Sequence, residues 1–377
     1  MEDTDMEIGV ITFHSAHNFG ATLQTWALQK VLRKRFHNVK IINYHPEVID
    51  RLYDPIKEKD PKKSHQIVKK LKKTQTGRNR LLRYERYNRF IEENFELEND
   101  CQTYQELLDA RFEFDVYITG SDQVWNEEHT NGYDPAYLLE FVKGDAVKLS
   151  YAASIGKDYI PKQYHDNFEQ ALETFNAISV REESAKREIE QLTEKEVSVV
   201  LDPTLLLEKS DYDEIKVFDD PGEKYIFVYM MENNEELICL ANKISRAVGL
   251  PIVQRRQKRY FDNEIKNCFT CTPGEFLGLV ENAEYIITNS FHGTVFSLIY
   301  KKRFVSMLHS TTGSRISDLL KVTGEEGHLL YCESEFKNFD QFEIKDDKKL
   351  DEKIAEHRQK SLEFLEKALE KSSDFDK

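Results

Sequence analysis

The stretch Glu284-Tyr-Ile-Ile-Thr-Asn-Ser-Phe-His-Gly-Thr-Val-Phe-Ser-Leu-Ile-Tyr300 decides how the chain is read. Its first half is short, apolar and rich in β-formers. Its second half carries apolar residues at helical spacing (Phe291, Val295, Leu298, Ile299), so the spacing predicts a buried strand turning into a helix at Asn289-Ser290. Ser290 then falls near the N-cap. The first turn of such a helix presents backbone N–H groups and a partial positive charge, which suits phosphate or carboxylate. His292 lies within that turn. With an ordinary pKa of about 6.5 its imidazole is placed for proton transfer, although it can equally close the corner through a hydrogen bond.

Working outward, the same strand-to-helix alternation recurs. In the second half, Lys224–Met231 and Pro251–Gln254 are predicted strands separated by a helix over Glu235–Gly249; Thr272–Val280 opens a further helix, and Phe304–Leu308 is the next strand. Gly313-Ser314-Arg315-Ile316-Ser317-Asp318-Leu319-Leu320 enters one more helix, with Arg315 at its start. In the first half, Glu7–Phe13, a polar loop His14–Gly20, a helix Ala21–Arg35 and a strand Val39–Tyr44 make a βαβ unit. Strands follow at Asp115–Thr119, Val147–Ser154, Ala177–Val180 and Val197–Leu201. Polar groups directly after buried strands lie at the carboxyl edge of a parallel sheet: Asn18 and Gln24 after the first, pointing toward that domain's ligand, then Ser121, Asp122 and Asn126, which either bind sugar hydroxyls or cap the turn. Arg181 follows its strand with a planar fork for a carboxylate or phosphate, or for Glu182 and Glu183 beside it. The first loop lacks Gly-x-Gly-x-x-Gly, which argues against a dinucleotide site.

Between these halves lies a contrast. From about 51 to 99 no strand pattern appears, and between Lys57 and Arg89 thirteen Lys or Arg face three acidic residues (Glu58, Asp60, Glu85). The segment reads as a helical excursion, either solvated or turned toward anionic lipid headgroups or a polyprenyl-phosphate-linked substrate. Tyr84, Tyr87, Phe90, Ile91 and Phe95 give it an apolar face. The end of the chain, 350–369, carries Ile354, Leu362, Leu365 and Leu369 on one helical face.

Composition bounds the reading. With 377 residues, 40% of them hydrophobic, the chain has material for two cores. No apolar run approaches the ~20 residues that cross a bilayer, and the acidic Met-Glu-Asp-Thr-Asp start lacks a signal-peptide core, so a cytoplasmic protein is expected. Five cysteines do not make a disulfide framework at this length, and the net charge of -15 argues against a nucleic-acid partner. Cys268-Phe-Thr-Cys271 has the spacing of half a zinc site with nothing to complete it, so no metal is expected.

Five blocks, in order across about residues 7 to 320, resemble the polysaccharide pyruvyl transferase family: Asn18-Phe-Gly-Ala-Thr-Leu-Gln-Thr-Trp-Ala-Leu-Gln, Gly120-Ser-Asp-Gln-Val-Trp-Asn, Ser179-Val-Arg-Glu, Leu201-Asp-Pro-Thr and Thr288-Asn-Ser-Phe-His-Gly-Thr. The resemblance implies two Rossmann-like domains facing across a cleft, similar to GT-B glycosyltransferases. It also implies phosphoenolpyruvate as donor substrate, with no separate cofactor, and a pyruvate ketal formed across two hydroxyls of a cell-surface sugar. Carried over by position, His292, Arg181 and Arg315 are the implied catalytic residues, with Asn289, Ser290, Gly293 and Thr294 at the donor. Asn18, Gln24, Ser121, Asp122 and Asn126 are assigned to the saccharide acceptor. The chain departs from the pattern at Lys301-Lys302-Arg303, where relatives often have Gly-Lys-Pro.

The expected layout is an α/β protein with residues 1–208 as the acceptor-side domain, containing the excursion at about 51–99. Residues 209–340 form the donor-side domain and 341–377 a C-terminal helix. A lipid-linked acceptor would bring the protein into peripheral contact with the inner face of the membrane. Two rivals remain at this point: a nucleotide-sugar-dependent glycosyltransferase on the same architecture, and a non-catalytic carbohydrate-binding or scaffold protein.

Overall fold

The order of the strands, more than their number, places the site. The computed structural model describes residues 4–58, 60–308 and 314–373. The chain divides into two units, one made of Met1–Tyr53, Ile91–Leu207 and Ala355–Lys377, the other of Asp54–Phe90 and Glu208–Ile354.

The first unit holds seven strands: β1 (Thr4–Ile11), β2 (Phe36–Tyr44), β3 (Leu97–Cys101), β4 (Val116–Thr119), β5 (Val147–Ala153), β6 (Ala177–Val180) and β7 (Val197–Val199). They form one sheet in the order β3-β2-β1-β4-β5-β6-β7, and every pairing is parallel, as in Ile8↔Val116 through Ile11↔Thr119. The second unit holds β8 (Ile226–Tyr229), β9 (Ile252–Gln254), β10 (Glu264–Asn267), β11 (Tyr285–Thr288), β12 (Phe304–Met307) and β13 (Leu329–Leu330), ordered β10-β9-β8-β11-β12-β13 and again wholly parallel. Each order runs outward from its first strand, returns, and continues on the other side. Both units are therefore Rossmann-like, with a switch point between β1 and β4 in one and between β8 and β11 in the other.

The central strands are apolar on both faces because helices cover both. All four residues of β8 and of β12 are buried, as are Ile286, Ile287 and Thr288 of β11. A core of Ile11, Ile42, Trp125, Phe168, Ile178 and their neighbours fills the first unit, and one of Ile226, Val228, Leu240, Ile244, Ile287 and Val305 the second.

The basic excursion is ordered as two helices, Pro61–Leu71 and Gln75–Asn94. It leaves the first sheet after β2 and returns at β3, yet Asp54–Phe90 belong to the second unit. The bonds that hold it are specific: Arg86 donates to Glu275 Oε1 (2.8 Å) and to the Thr270 carbonyl (3.1 Å), and Gln257 Nε2 donates to the Thr76 carbonyl (3.1 Å). Chain order suggested the first domain, and side-chain pairing assigns the segment to the second. The final helix, Asp347–Ser373, likewise starts in the second unit and continues in the first from Ala355. Among the described residues, no helix is long and apolar enough to cross a membrane.

Candidate active site

In the second unit the organising stretch folds as β11 followed by the helix Phe291–Ile299, at the switch point. Ser290 is its N-cap, with φ -100° and ψ 132°, and its Oγ accepts from the Gly293 amide at 3.2 Å. Thr288 Oγ1 receives the Ser290 amide (3.0 Å) and donates to the Tyr229 carbonyl (2.7 Å), which ties the corner to β8. A Cβ on Gly293 would lie 2.3 Å from that same Thr288 oxygen and 3.1 Å from Tyr229 Cδ1. Glycine is there because helix and sheet approach too closely for any side chain.

The donor-side residues thus divide in two. Asn289 accepts from the Met231 amide (2.7 Å) and donates to the Glu232 carbonyl (3.3 Å), joining the loops that leave β8 and β11. Thr294 Oγ1 bonds to the Ser290 carbonyl (3.1 Å) and to Ser306 Oγ (2.7 Å). Asn289, Gly293 and Thr294 therefore build the corner. Ser290 caps the helix and His292 stands in its first turn, both buried. The His292 ring stands edge-on to Phe291, centroids 5.1 Å apart, and the Arg315 guanidinium lies 5.8 Å from the same Phe291 ring. Arg315 belongs to the helix Ser314–Thr323; Gly313, read with it as the helix entrance, lies outside the described residues. One aromatic ring thus neighbours both an imidazole and a cation.

The first unit assembles a different group at its own switch point. Asn18 caps the helix Phe19–Arg33, its Oδ1 accepting from the Gly20 amide at 2.9 Å. Gln24 is interior, donating to Thr12 Oγ1 (3.0 Å) and to the Ala21 carbonyl (2.9 Å). Asn126 caps the short helix Glu127–Thr130 and donates to Gln123 Oε1 at 2.9 Å. Ser121 Oγ donates to Asp202 Oδ2 (3.0 Å), and that oxygen also receives Arg181 Nη1 at 2.8 Å. Asp122 Oδ1 and Glu182 Oε2 stand 3.5 and 3.6 Å from the same guanidinium, whose side chain is only 2% exposed. Burial alone would lower the pKa of Arg181; Asp202, Asp122 and Glu182 raise it further than burial lowers it.

Arg181 is therefore held among three carboxylates rather than presented alone to an anion. An ion pair rather than a hydrogen bond links it to Asp122, which sits at φ +74°, a left-handed conformation costly for most non-glycine residues, with its side chain 14% exposed. In the sequence Asp202 stands only within the Leu201-Asp-Pro-Thr block, with no partner indicated. Its role as the central partner of Arg181 depends on a contact across 21 positions. Cys268 and Cys271 are both buried as free thiols, and Cys271 is pushed well above its ordinary pKa by Cys268 and by burial. Among the described residues no group of three or more His, Cys, Asp or Glu is arranged to hold a metal.

The family model for polysaccharide pyruvyl transferase matches residues 18–311, more than half of the chain. The chain belongs to that family. No curated protein matches it. Solved structures with similar folds include the UDP-GlcNAc 2-epimerase of Neisseria meningitidis (8% identity, covering 97% of this chain and 93% of that one, TM-score 0.45). A putative UDP-N-acetylglucosamine 2-epimerase of Listeria monocytogenes shows 10% identity, coverage of 93% and 91%, and TM-score 0.48. The E. coli ADP-heptose heptosyltransferase II shows 8%, 94%, 99% and 0.35 in the same terms. The matched range of the polysaccharide pyruvyl transferase model includes β8, β11, His292 and Arg181, but begins after β1 and stops short of Arg315.

Proposed function

We propose that the protein transfers pyruvate from phosphoenolpyruvate to two hydroxyls of a sugar, forming a pyruvate ketal. The observation that carries this reading is His292, two residues into a helix that starts at the β8–β11 switch point, in a chain of the polysaccharide pyruvyl transferase family. Phosphoenolpyruvate brings a carboxylate and a phosphate. The first-turn amides of the helix Phe291–Ile299 and the Arg315 guanidinium supply positive charge for them.

In this reading His292, as imidazolium, gives its proton to the methylene carbon, and positive character develops on the carbon bearing phosphate. One sugar hydroxyl attacks that carbon and its proton returns to His292. The C–O bond to phosphate then breaks, a second hydroxyl adds, and its proton leaves with the phosphate. One hydroxyl proton ends on carbon and the other on phosphate, so the step balances. Asn18 and Asp122, at the carboxyl edge of the first sheet, are the groups proposed to meet the acceptor, with Arg181 positioning Asp122 from behind. Gln24, Ser121 and Asn126 hold that edge in shape.

The test is phosphate release from phosphoenolpyruvate over a panel of pyranoside acceptors. Wild-type protein should release phosphate with at least one acceptor, and a folded His292→Ala variant should lose about 10²–10⁴-fold in turnover. Unchanged turnover in that variant would remove His292 from the mechanism. Binding of uridine or guanosine diphosphate without phosphoenolpyruvate would favour the glycosyltransferase, and consumption of no donor would favour a carbohydrate-binding protein.

A further inference from the structure

The basic excursion brings charge to the second unit's sheet edge. On the helix Gln75–Asn94, Arg83 and Tyr87 are four residues apart and share a face. Arg86 fixes the rotation of that helix, because it is bonded to both Glu275 and the Thr270 carbonyl. Glu275 is itself held, as the third residue of a capping box with Thr272. With the helix locked, the Arg83 guanidinium lies 5.0 Å from the Phe269 ring and 5.3 Å from the Tyr87 ring.

A second arginine comes from the sheet. Arg255 is the first residue after β9, at the carboxyl edge, and its guanidinium lies 5.9 Å from the ring of Tyr229, the last residue of β8. The next residue, Arg256, turns the other way and donates to the Met230 and Met231 carbonyls. Tyr229 is tied to the start of the helix that carries His292, because its carbonyl accepts from Thr288 Oγ1, the oxygen that receives the Ser290 amide. Burial pushes the Tyr87 and Tyr229 phenols upward, and both Arg255 and Arg83 oppose that rise at each of them. The Cys268 amide bonds to the Gln254 carbonyl at 2.7 Å, so Phe269, which lies against Arg83, and Arg255 leave neighbouring strand ends.

We propose that Arg83 and Arg255 form a two-guanidinium subsite for a phosphoryl dianion, backed by Tyr87 and Tyr229 and adjoining the Ser290 end of the His292 helix. The inference deepens the reading of the second unit as the donor unit. The same chemistry serves the phosphate of phosphoenolpyruvate or a phosphoryl group carried on the acceptor. Planar guanidinium forks suit either, and the aromatic rings beneath hold the forks flat.

Calorimetric titration of the whole protein with phosphoenolpyruvate, inorganic diphosphate and pyruvate tests it. Arg83→Gln and Arg255→Gln should each weaken a phosphate-bearing ligand about tenfold or more and leave pyruvate binding unchanged. Weakening confined to phosphoenolpyruvate identifies the donor as source; weakening confined to diphosphate identifies the acceptor's carrier. If wild type binds diphosphate but not phosphoenolpyruvate, and both variants lose that binding, the donor reading falls while the subsite stands. Should Arg83→Gln fail to fold, Arg83→Lys keeps the charge without the fork and should still weaken binding several-fold. Wild-type affinity in the folded variants overturns the subsite, as does failure of both phosphate ligands to bind wild type.

Discussion

At the scale of single residues, the corner that presents His292 tolerates little change. Thr288 Oγ1 is fixed by two hydrogen bonds, so it cannot yield to a methyl group placed 2.3 Å away. Gly293→Ala should therefore destabilise the second unit by about 1–3 kcal/mol, read from chemical denaturation, and lower turnover by shifting the helix start. His45 makes a separate prediction. Its Nδ1 bonds to Asp50 (2.7 Å) and its Nε2 to Asp100 (2.5 Å), and the Asp50 bond, joined by Asp100 and opposed by burial, raises its pKa to about 9. The folded state thus holds the proton more tightly than the unfolded one, whose imidazole titrates near 6.5. The stabilisation is complete below about pH 6.5 and is lost as pH rises through about 9. His45→Gln should lower the melting temperature by about 2–4 °C at pH 6, and the gap from wild type should close by pH 10. The residue scale is also where sequence pattern was most informative. Ser290 as a cap follows from residue type and position alone, as does Glu182 beside Arg181, whereas Asp122 and Asp202 reach Arg181 only when β4, β6 and β7 are assembled in one sheet.

At the scale of elements, the strands that pattern hides are at the sheet edges, although β7, also at an edge, is legible in Val197–Leu201. Leu-Glu-Asn-Asp-Cys of β3, Glu-Ile-Lys-Asn of β10 and the two residues of β13 each pair on one side only. In β3 the exposed positions are Asn99 and Asp100, in β10 polar residues flank an exposed Ile265, and β13 is only two leucines long, so none of the three shows an apolar run. The excursion was legible as helix, and its buried Tyr87, Phe90, Ile91 and Phe95 match the apolar face read from spacing. What spacing could not supply was its partner, because Arg86 and Glu275 are 189 positions apart. That bond carries a prediction of its own. Arg86→Met should cost about 1–2 kcal/mol and selectively lower amide-exchange protection across 75–94, leaving β8, β11 and β12 as protected as in wild type. Uniform loss of protection would show that the helix is held by other means.

At the scale of the whole molecule, the first unit is completed by a segment far from the rest of it in sequence, Ala355–Lys377. From Ala355 onward the final helix returns to that unit, burying Leu365, Ala368 and Leu369. Polar bonds fix its position: Ser361 Oγ accepts from the Leu201 amide at 2.9 Å, and Arg358 donates to the Leu205 (2.9 Å) and Leu207 (3.1 Å) carbonyls. These bonds fall on the strand-exit segment that also contains Asp202, the carboxylate that holds Arg181, so the helix supports the first unit's switch point from outside it. Each fully buried leucine is worth roughly 1.5–3 kcal/mol, and the two here, with the carbonyls that Arg358 satisfies, make a large share of the 5–15 kcal/mol that keeps a typical domain folded. A chain ending at Ile354 should therefore lose the cooperative melting of the first unit while the second, whose sheet ends at β13, keeps its own transition. Calorimetry that resolves two endotherms in the intact protein and only the second in the shortened one fits this account. If both endotherms persist at their original temperatures, the helix contributes nothing to the unit in which its last turns are counted, and Leu201–Leu207 must be held from within the sheet.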